Sequence, residues 1–266
     1  MIKRLIDSIY ASKLKLAFEV ITITYEVDSS GVREYLLDQQ LEGKAKVIVN
    51  REDVGKAESR NQGIRAAQGK YVYILDDDTE INGEAVEGIF SFMEANPRCG
   101  IASPKLLNTD KTVQASARRF PTIHGKILRN APPALCSIDD IYGNYDISFK
   151  VDYLIGASQF VRREMFDKCG YMDPDSGRGV EDIEICMMAW EHGYEVWYVN
   201  NLSIFHHQSF AIKNEFFSRK TIIHFMSLIY FFKKYRYFFA RNKIYQKLRL
   251  ELDSKGMIIG WKGRNL

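Results

Sequence analysis

The chain has 266 residues, of which 46% are hydrophobic and 27% charged, values typical of a soluble globular protein with one large domain or a domain plus an appendage. This composition excludes a disordered tail protein, a collagen and a disulfide-stapled miniprotein. The net charge of +3 conceals an asymmetry: residues 213–266 carry 13 Lys/Arg against 3 Asp/Glu, whereas the preceding 212 residues carry 24 against 31. An acidic body is followed by a basic, aromatic-rich tail. Cys99, Cys136, Cys169 and Cys186 form no CxxC pair, which argues against a zinc cluster or a secreted disulfide framework and for a reducing compartment. The opening MIKRLIDSIYASKLKLAF lacks the apolar region and cleavage site of a secretory signal. The most apolar window, Thr221 to Phe232, is 12 residues long against the ~20 needed to span a bilayer. It is long enough to lie on one.

In chain order, residues 2–12 read as a helix from the spacing of Ile2, Leu5, Ile6 and Ile9, and FEVITIT (18–24) as a β-branched strand. A helix over 32–40, a short strand over 45–49 and a helix over 57–68 follow. Then YVYIL, a strand at Tyr71 to Leu75, runs directly into Asp76, Asp77 and Asp78. Strands alternating with helices of about ten residues predict an α/β fold with a mostly parallel, Rossmann-like sheet, whose ligands bind at the carboxyl ends of strands. Residues 100–150 are more irregular, with Pro104, Pro121, Pro132 and Pro133. Residues 151–161 resume a strand-like pattern, 183–192 read as a helix and 194–199 as a strand, with a polar turn at Asn200-Asn201.

Three features carry chemistry. Adjacent carboxylates repel, so the Asp76–Asp78 run implies either a solvated acidic turn or a hard cation such as Mg²⁺ or Mn²⁺ shared with phosphate. Asp76 and Asp78, two apart in an extended chain, share a side. Glu181-Asp182 opens the 183–192 helix and reads either as an N-terminal cap or as a general base held beside a glycine-containing loop. His206-His207, the only adjacent histidines, are candidate metal ligands or structural residues.

In this order and spacing the motifs resemble family 2 glycosyltransferases of the GT-A fold, from about residue 2 to 210. The strongest pieces are VGKAESRNQGIRAAQGKYVYILDDDTEI, GASQFVRREMFDKCGYMD, GVEDIEICMMAWEHGY and VWYVNNLSIFHHQS; TVQASARRFPTIHGKILR is similar to a segment of the rhamnosyltransferase-like branch. The resemblance implies that Asp76 and Asp78 form a DxD-type motif, binding the donor's ribose and a metal-bridged diphosphate, with Asp77 between them. It implies that Asp182 is the catalytic base with Glu181 as its acidic neighbour, that His206 completes a metal shell with Asp78 and Asp76, and that Asn61, Gly63, Arg118 and Arg119 lie at the donor or acceptor site. The implied activity is inverting transfer from a nucleotide-sugar (dTDP-rhamnose or a UDP-sugar) to a glycan or lipid-linked acceptor hydroxyl, with Mg²⁺ or Mn²⁺, in surface polysaccharide assembly at the cytoplasmic face.

Two departures from the family pattern stand out. The chain opens at what reads as the family's first helix, without the usual first strand, and Tyr25 or Glu26 falls near the position of a base-reading aspartate. Residues 1–212 then form the GT-A domain, and 213–266 a basic helical extension that packs on the body or rests on a membrane surface; no nucleic-acid motif accompanies it. The competing readings of the whole are a degenerate GT-A domain acting as a binding subunit and a nucleotidyltransferase.

Overall fold

The computed structural model describes residues 1–26, 31–122, 146–176, 179–207, 219–236 and 241–262, with the side chains of 219–224 also set aside. The stretch containing Pro132, Pro133 and Cys136, the end of TVQASARRFPTIHGKILR, and the start of the basic tail lie outside the described residues.

Helix α1 (Ile2–Ala11) buries Leu5, Ile6 and Ile9 on one face and is followed by β1 (Ile21–Tyr25), α2 (Val32–Leu41), β2 (Lys46–Asn50), α3 (Gly55–Ala66) and β3 (Tyr71–Leu75). These lie within a few residues of their expected places. Next come β4 (Thr79–Glu80), α4 (Gly83–Ala95), β5 (Cys99–Leu107), β6 (Ala117–Arg118), β7 (Phe149–Lys150), β8 (Tyr153–Leu154), β9 (Ser158–Arg162) and α5 (Glu164–Cys169). The chain continues through α6 (Glu181–Glu191), β10 (Glu195–His206), α7 (Arg219–Tyr235), α8 (Arg241–Lys247), β11 (Leu250–Leu252) and β12 (Ile258–Trp261).

The α/β expectation holds, with helices flanking a central sheet, but the sheet is not mostly parallel. Its order is β11-β12-β7-β10-β5-β9-β3, with β4 also paired to β10. Among the described residues only β5 and β10 pair in parallel within it, while β1 and β2 pair in parallel as a separate two-stranded sheet. The reason lies in β9. The chain approaches it from Gly156, at the carboxyl end of β3, so it must run antiparallel to both β3 and β5. Asn200-Asn201, expected as a turn, instead sits inside β10, where the ladder with β5 shifts register between Val199 and Ser203. That irregularity lets one 12-residue strand carry His206 past the sheet to pair with Thr79 beside the aspartates.

Described residues of α7, α8, β11 and β12 share a core with the body. Leu228, Phe231, Phe232 and Tyr235 of α7, Ile244 and Tyr245 of α8, and Leu248 just after it cluster with Ile185, Trp190 and Val196, and Ile258 of β12 pairs with Lys150. Polar contacts reinforce this packing. Fully buried Asp152 accepts from the Phe120 amide at 2.6 Å and the Tyr245 hydroxyl at 2.7 Å. Lys234 Nζ lies 2.7 Å from Asp173 and 2.5 Å from Glu184, a carboxylate whose side chain is 1% exposed. Phe231 is fully buried. Phe231→Ala is expected to destabilise the whole chain by about 3–5 kcal/mol, read as a single shifted urea transition. A loss confined to the C-terminal helices would show that they fold apart from the body.

Candidate functional site

The acidic cluster begins where β3 ends. Thr79 donates to the Asp76 carbonyl through its amide (3.1 Å) and its hydroxyl (2.8 Å), closing a tight turn that holds Asp76 and Asp78 near each other. The antiparallel register of His206 with Thr79 adds the third member. Ligand atoms of Asp76, Asp78 and His206 all lie within 4.8 Å of one another. Asp77 is exposed on the outside of the turn. His207 points elsewhere, its Nε2 2.9 Å from Glu80, while its amide donates to the Asp78 carbonyl at 2.8 Å.

Gln114 sets the state of the His206 ring. Its Nε2 donates to the His206 carbonyl at 2.8 Å and to Asn108 Oδ1 at 2.7 Å, which leaves Oε1 as the acceptor facing His206 Nδ1 at 2.7 Å. Nδ1 therefore carries a proton, and Nε2 faces Asp78 Oδ1 at 3.2 Å. That oxygen is buried and has no hydrogen-bond partner among the described residues. A ring lone pair aimed at a carboxylate oxygen is repulsive unless a proton or a cation lies between them. When a proton fills the position, the His206 contact holds the Asp78 carboxyl below its usual range, against an opposing push from burial. Two carboxylates and an imidazole oriented by an amide make a set that fits a divalent cation.

A second group of residues adjoins this cluster. Arg60, on α3 with its side chain 9% exposed, lies 3.2 Å from Asp76 and 3.6 Å from Glu181, and donates to the Gly156 carbonyl at 2.9 Å. Lys56, one turn earlier, lies 3.3 Å from the other Asp76 oxygen. Glu181 and Asp182 are the first two residues of α6, inside the helix rather than capping it. The Asp182 carboxylate accepts from the Gly156 amide at 3.2 Å and the Ile183 amide at 2.9 Å. Gly156 thus faces Arg60 with its carbonyl and Asp182 with its amide. A Cβ there would meet Arg60 Nη2 at 2.4 Å, so the residue must be glycine for the arginine to dock.

The other expected site residues are placed differently from this group. Asn61 is fully buried, exchanging hydrogen bonds with the Met172 backbone at 2.7 and 3.1 Å and tying α3 to the loop before α6. Gly63 packs α3 against Ile23 of β1. Arg118 donates to the Ala115 carbonyl at 3.1 Å, and Arg119 to the Gly256 carbonyl in the C-terminal hairpin at 2.7 Å. Sequence reasoning missed Arg60, Gly156, Gln114 and Lys56. Arg60 stands beside Asn61 within a quoted motif, but Gln114 is 92 residues from the histidine it orients, and no local spacing links the two.

Residues 1–170 match the family described as Glycosyl transferase family 2. The chain belongs to that family. A protein of Haemophilus influenzae described as an uncharacterized glycosyltransferase is 35% identical over 80 residues, covering 30% of this chain and 26% of that one. In three dimensions the GT-A fold recurs in GalNAc-T7 crystallised with UDP, GalNAc and Mn²⁺ (TM-score 0.63, 17% identity, 88% of this chain, 47% of that one). It recurs again in Staphylococcus aureus TarS residues 1–349 (TM-score 0.58, 14% identity, 93% of this chain and 65% of that one), and TarS has also been crystallised with UDP-GlcNAc. The chain spans about a quarter of the H. influenzae relative and about half of GalNAc-T7.

The bridging role of Gly156 has a direct consequence. Gly156→Ala is expected to dislodge Arg60 and cost about 1–3 kcal/mol, the range for a buried polar group deprived of its partner. In an Arg60→Met background the same substitution should cost much less. Equal costs in both backgrounds, measured by urea denaturation, would separate Gly156 from Arg60.

Proposed function

We propose that the chain transfers a sugar from a nucleotide-sugar to an acceptor hydroxyl with inversion at the anomeric carbon. One observation carries the reading: the Asp76–Asp78–His206 cluster and the Asp182 carboxylate are joined through Arg60 and Gly156 at the carboxyl end of β3. Asp182, oriented by two backbone amides, takes the proton from the acceptor oxygen as that oxygen attacks the anomeric carbon. The glycosidic bond to the diphosphate breaks with its electron pair leaving on the diphosphate, and no covalent intermediate forms. Asp76, Asp78 and His206 would hold a divalent cation, which when bound would supply charge stabilisation for that leaving group. The imidazole in the set favours Mn²⁺ over Mg²⁺, in keeping with the Mn²⁺ that accompanies UDP in GalNAc-T7. Arg60 and Lys56, already paired to Asp76, hold positive charge at the same edge and suit a diphosphate. Glu181 keeps Arg60 in place.

The UDP and UDP-GlcNAc complexes of the structural relatives support a UDP-sugar donor over dTDP-rhamnose. The acceptor is read as a glycan or lipid-linked glycan, in polysaccharide assembly at the cytoplasmic face. Among the described residues no helix is long and apolar enough to cross a membrane. Phe225, Met226 and Tyr230 of α7 expose apolar surface near Lys233, which supports peripheral contact with an anionic membrane.

Asp182→Asn should lower turnover by about 10²–10⁴-fold with UDP-sugar affinity changed only a few-fold. Turnover near that of the unmodified chain in a product assay would overturn the assignment. Gln114→Leu, which frees the His206 ring, is expected to weaken Mn²⁺ binding in the presence of UDP by about 10–100-fold, read by calorimetry. Unchanged Mn²⁺ affinity would remove His206 from the metal shell.

A further inference from the structure

Helix α7 turns two stripes of side chains toward the body. Leu228, Phe231, Phe232 and Tyr235 enter the core, and beside them Tyr230 and Lys234, four residues apart and so stacked on one face, reach the start of α6. Lys234 Nζ lies 2.7 Å from Asp173 Oδ2 and 2.5 Å from Glu184 Oε1, and the Tyr230 hydroxyl donates to the same Asp173 oxygen at 2.8 Å. The backbone closes the circuit: the Asp173 amide donates to the second Glu184 oxygen at 3.1 Å. Burial pushes the Lys234 ammonium toward neutrality, but its bonds to Asp173 and Glu184 outweigh this and raise its pKa above the ordinary lysine value. The group is a cation at neutral pH.

Stability alone does not call for these residues. The neighbours of Glu184 on α6, Ile183, Ile185, Cys186, Met187 and Met188, are buried apolar side chains, so an apolar residue at 184 would find apolar surroundings. A buried ion pair adds little net stability over such packing; what it adds is a fixed position. Position matters here because Glu184 stands two residues from Asp182 and one turn from Glu181. The first turn of α6 is held from three sides: Glu181 by Arg60 of α3, Asp182 by the Gly156 amide ahead of β9, and Glu184 by Lys234 of α7. The loop leading into that turn is gripped in the same way, Met172 by Asn61 and Asp173 by Lys234 and Tyr230. Two of the three ties on α6 come from the acidic site itself. The third comes from a helix that has no other part in it.

We infer that Lys234 is a positioning residue for Asp182: by holding Glu184 and Asp173 together, it sets the place of the first turn of α6 and of the carboxylate that meets the acceptor hydroxyl. The inference rests on the proposed reading of Asp182 as the base. Lys234 touches no reacting atom and acts only through the helix. A displacement of about 1 Å caused by a change remote from the chemistry costs on the order of 10²-fold in rate. The ionic tie therefore bears on turnover more than on binding of the donor.

The experiment follows amide hydrogen exchange and turnover in the 266-residue chain and three variants. These are Lys234→Met, the double variant Lys234→Met with Glu184→Gln, which strands no buried charge, and Leu228→Ala, which weakens the packing of α7 without touching the ionic tie. The reporters are the Asp173 amide, bonded to Glu184, and the Gly156 amide, bonded to Asp182. Both lysine variants are expected to speed exchange at the reporters by about tenfold or more relative to β5, a ratio that Leu228→Ala leaves unchanged. With the donor of the Asp182→Asn assay, kcat should fall about 10–100-fold in both, and KM for that donor should stay within about threefold. Unaltered exchange at the reporters overturns the inference, as does acceleration shared equally by β5 or by Leu228→Ala. Recovery of the original rates in the double variant, or a raised KM at unchanged kcat, also overturns it. No donor or acceptor enters the exchange measurement. Turnover retained by Asp182→Asn would therefore remove the base assignment and still leave exchange to decide whether Lys234 places that carboxylate.

Discussion

Carboxylates gathered at one end of a sheet repel one another, and Asp76, Asp78, Glu181 and Asp182 converge on the same small region. The Arg60 guanidinium, nearly buried, makes that convergence tolerable. It takes one carboxylate from each acidic motif and fixes its remaining geometry on the Gly156 carbonyl. A buried ion pair contributes little net stability against a well-packed apolar alternative, but removing one partner strands the others at a cost of several kcal/mol. The arrangement therefore specifies position more than it adds stability: α3, the β3 turn and the start of α6 are registered through one side chain. Lysine would not replace it, since only a planar fork reaches two carboxylates and a carbonyl from one stem.

The same logic operates on the far side of α6. Glu184 is almost wholly buried, and its countercharge arrives from α7, more than 40 residues later, through Lys234. The basic excess after residue 213 is thus partly directed inward. Lys234 neutralises Glu184 and Asp173, and Arg241 donates to the Phe120 carbonyl at 2.8 Å. The charge asymmetry between body and extension is in part complementarity across an internal interface, and of the described aromatics interleaved with those charges Phe231, Phe232, Tyr235 and Tyr245 lie in the core while Phe225 and Tyr230 are exposed. Composition reports the imbalance without its direction. Whether a lysine faces solvent or a buried glutamate depends on contacts between segments distant in the chain.

That distinction marks what was legible in the sequence. Local periodicity placed α1, α2, α3 and β3 within a few residues, because each element's pattern is set by its own buried face. The aspartates were legible because three adjacent carboxylates are costly without a purpose, and Asp182 because an acidic pair opens a helix. The antiparallel course of β9 was hidden, since its pairing is dictated by where the chain re-enters after a long irregular segment. The bulge at Asn200-Asn201 read as a turn because polar residues in a strand and in a turn look alike until the neighbouring ladder is known. Gln114 was invisible as a ring-orienting residue for the same reason: its partner is 92 residues away.

Helix α3 joins these strands of argument. One side of it, through Asn61, is bonded to the Met172 backbone ahead of α6; its N-terminal half carries Lys56 and Arg60 to Asp76; and Gly63 rests against Ile23 of β1. Its position therefore answers to both the acidic site and the β1–β2 pair. Ala57 and Ile64 of the same helix pack in the core with Val72 and Ile74 of β3. Rotating α3 to relieve one of these contacts would break the others, so the direction in which Arg60 points is set jointly by apolar packing, by the Asn61–Met172 hydrogen bonds and by the ion pairs at Asp76.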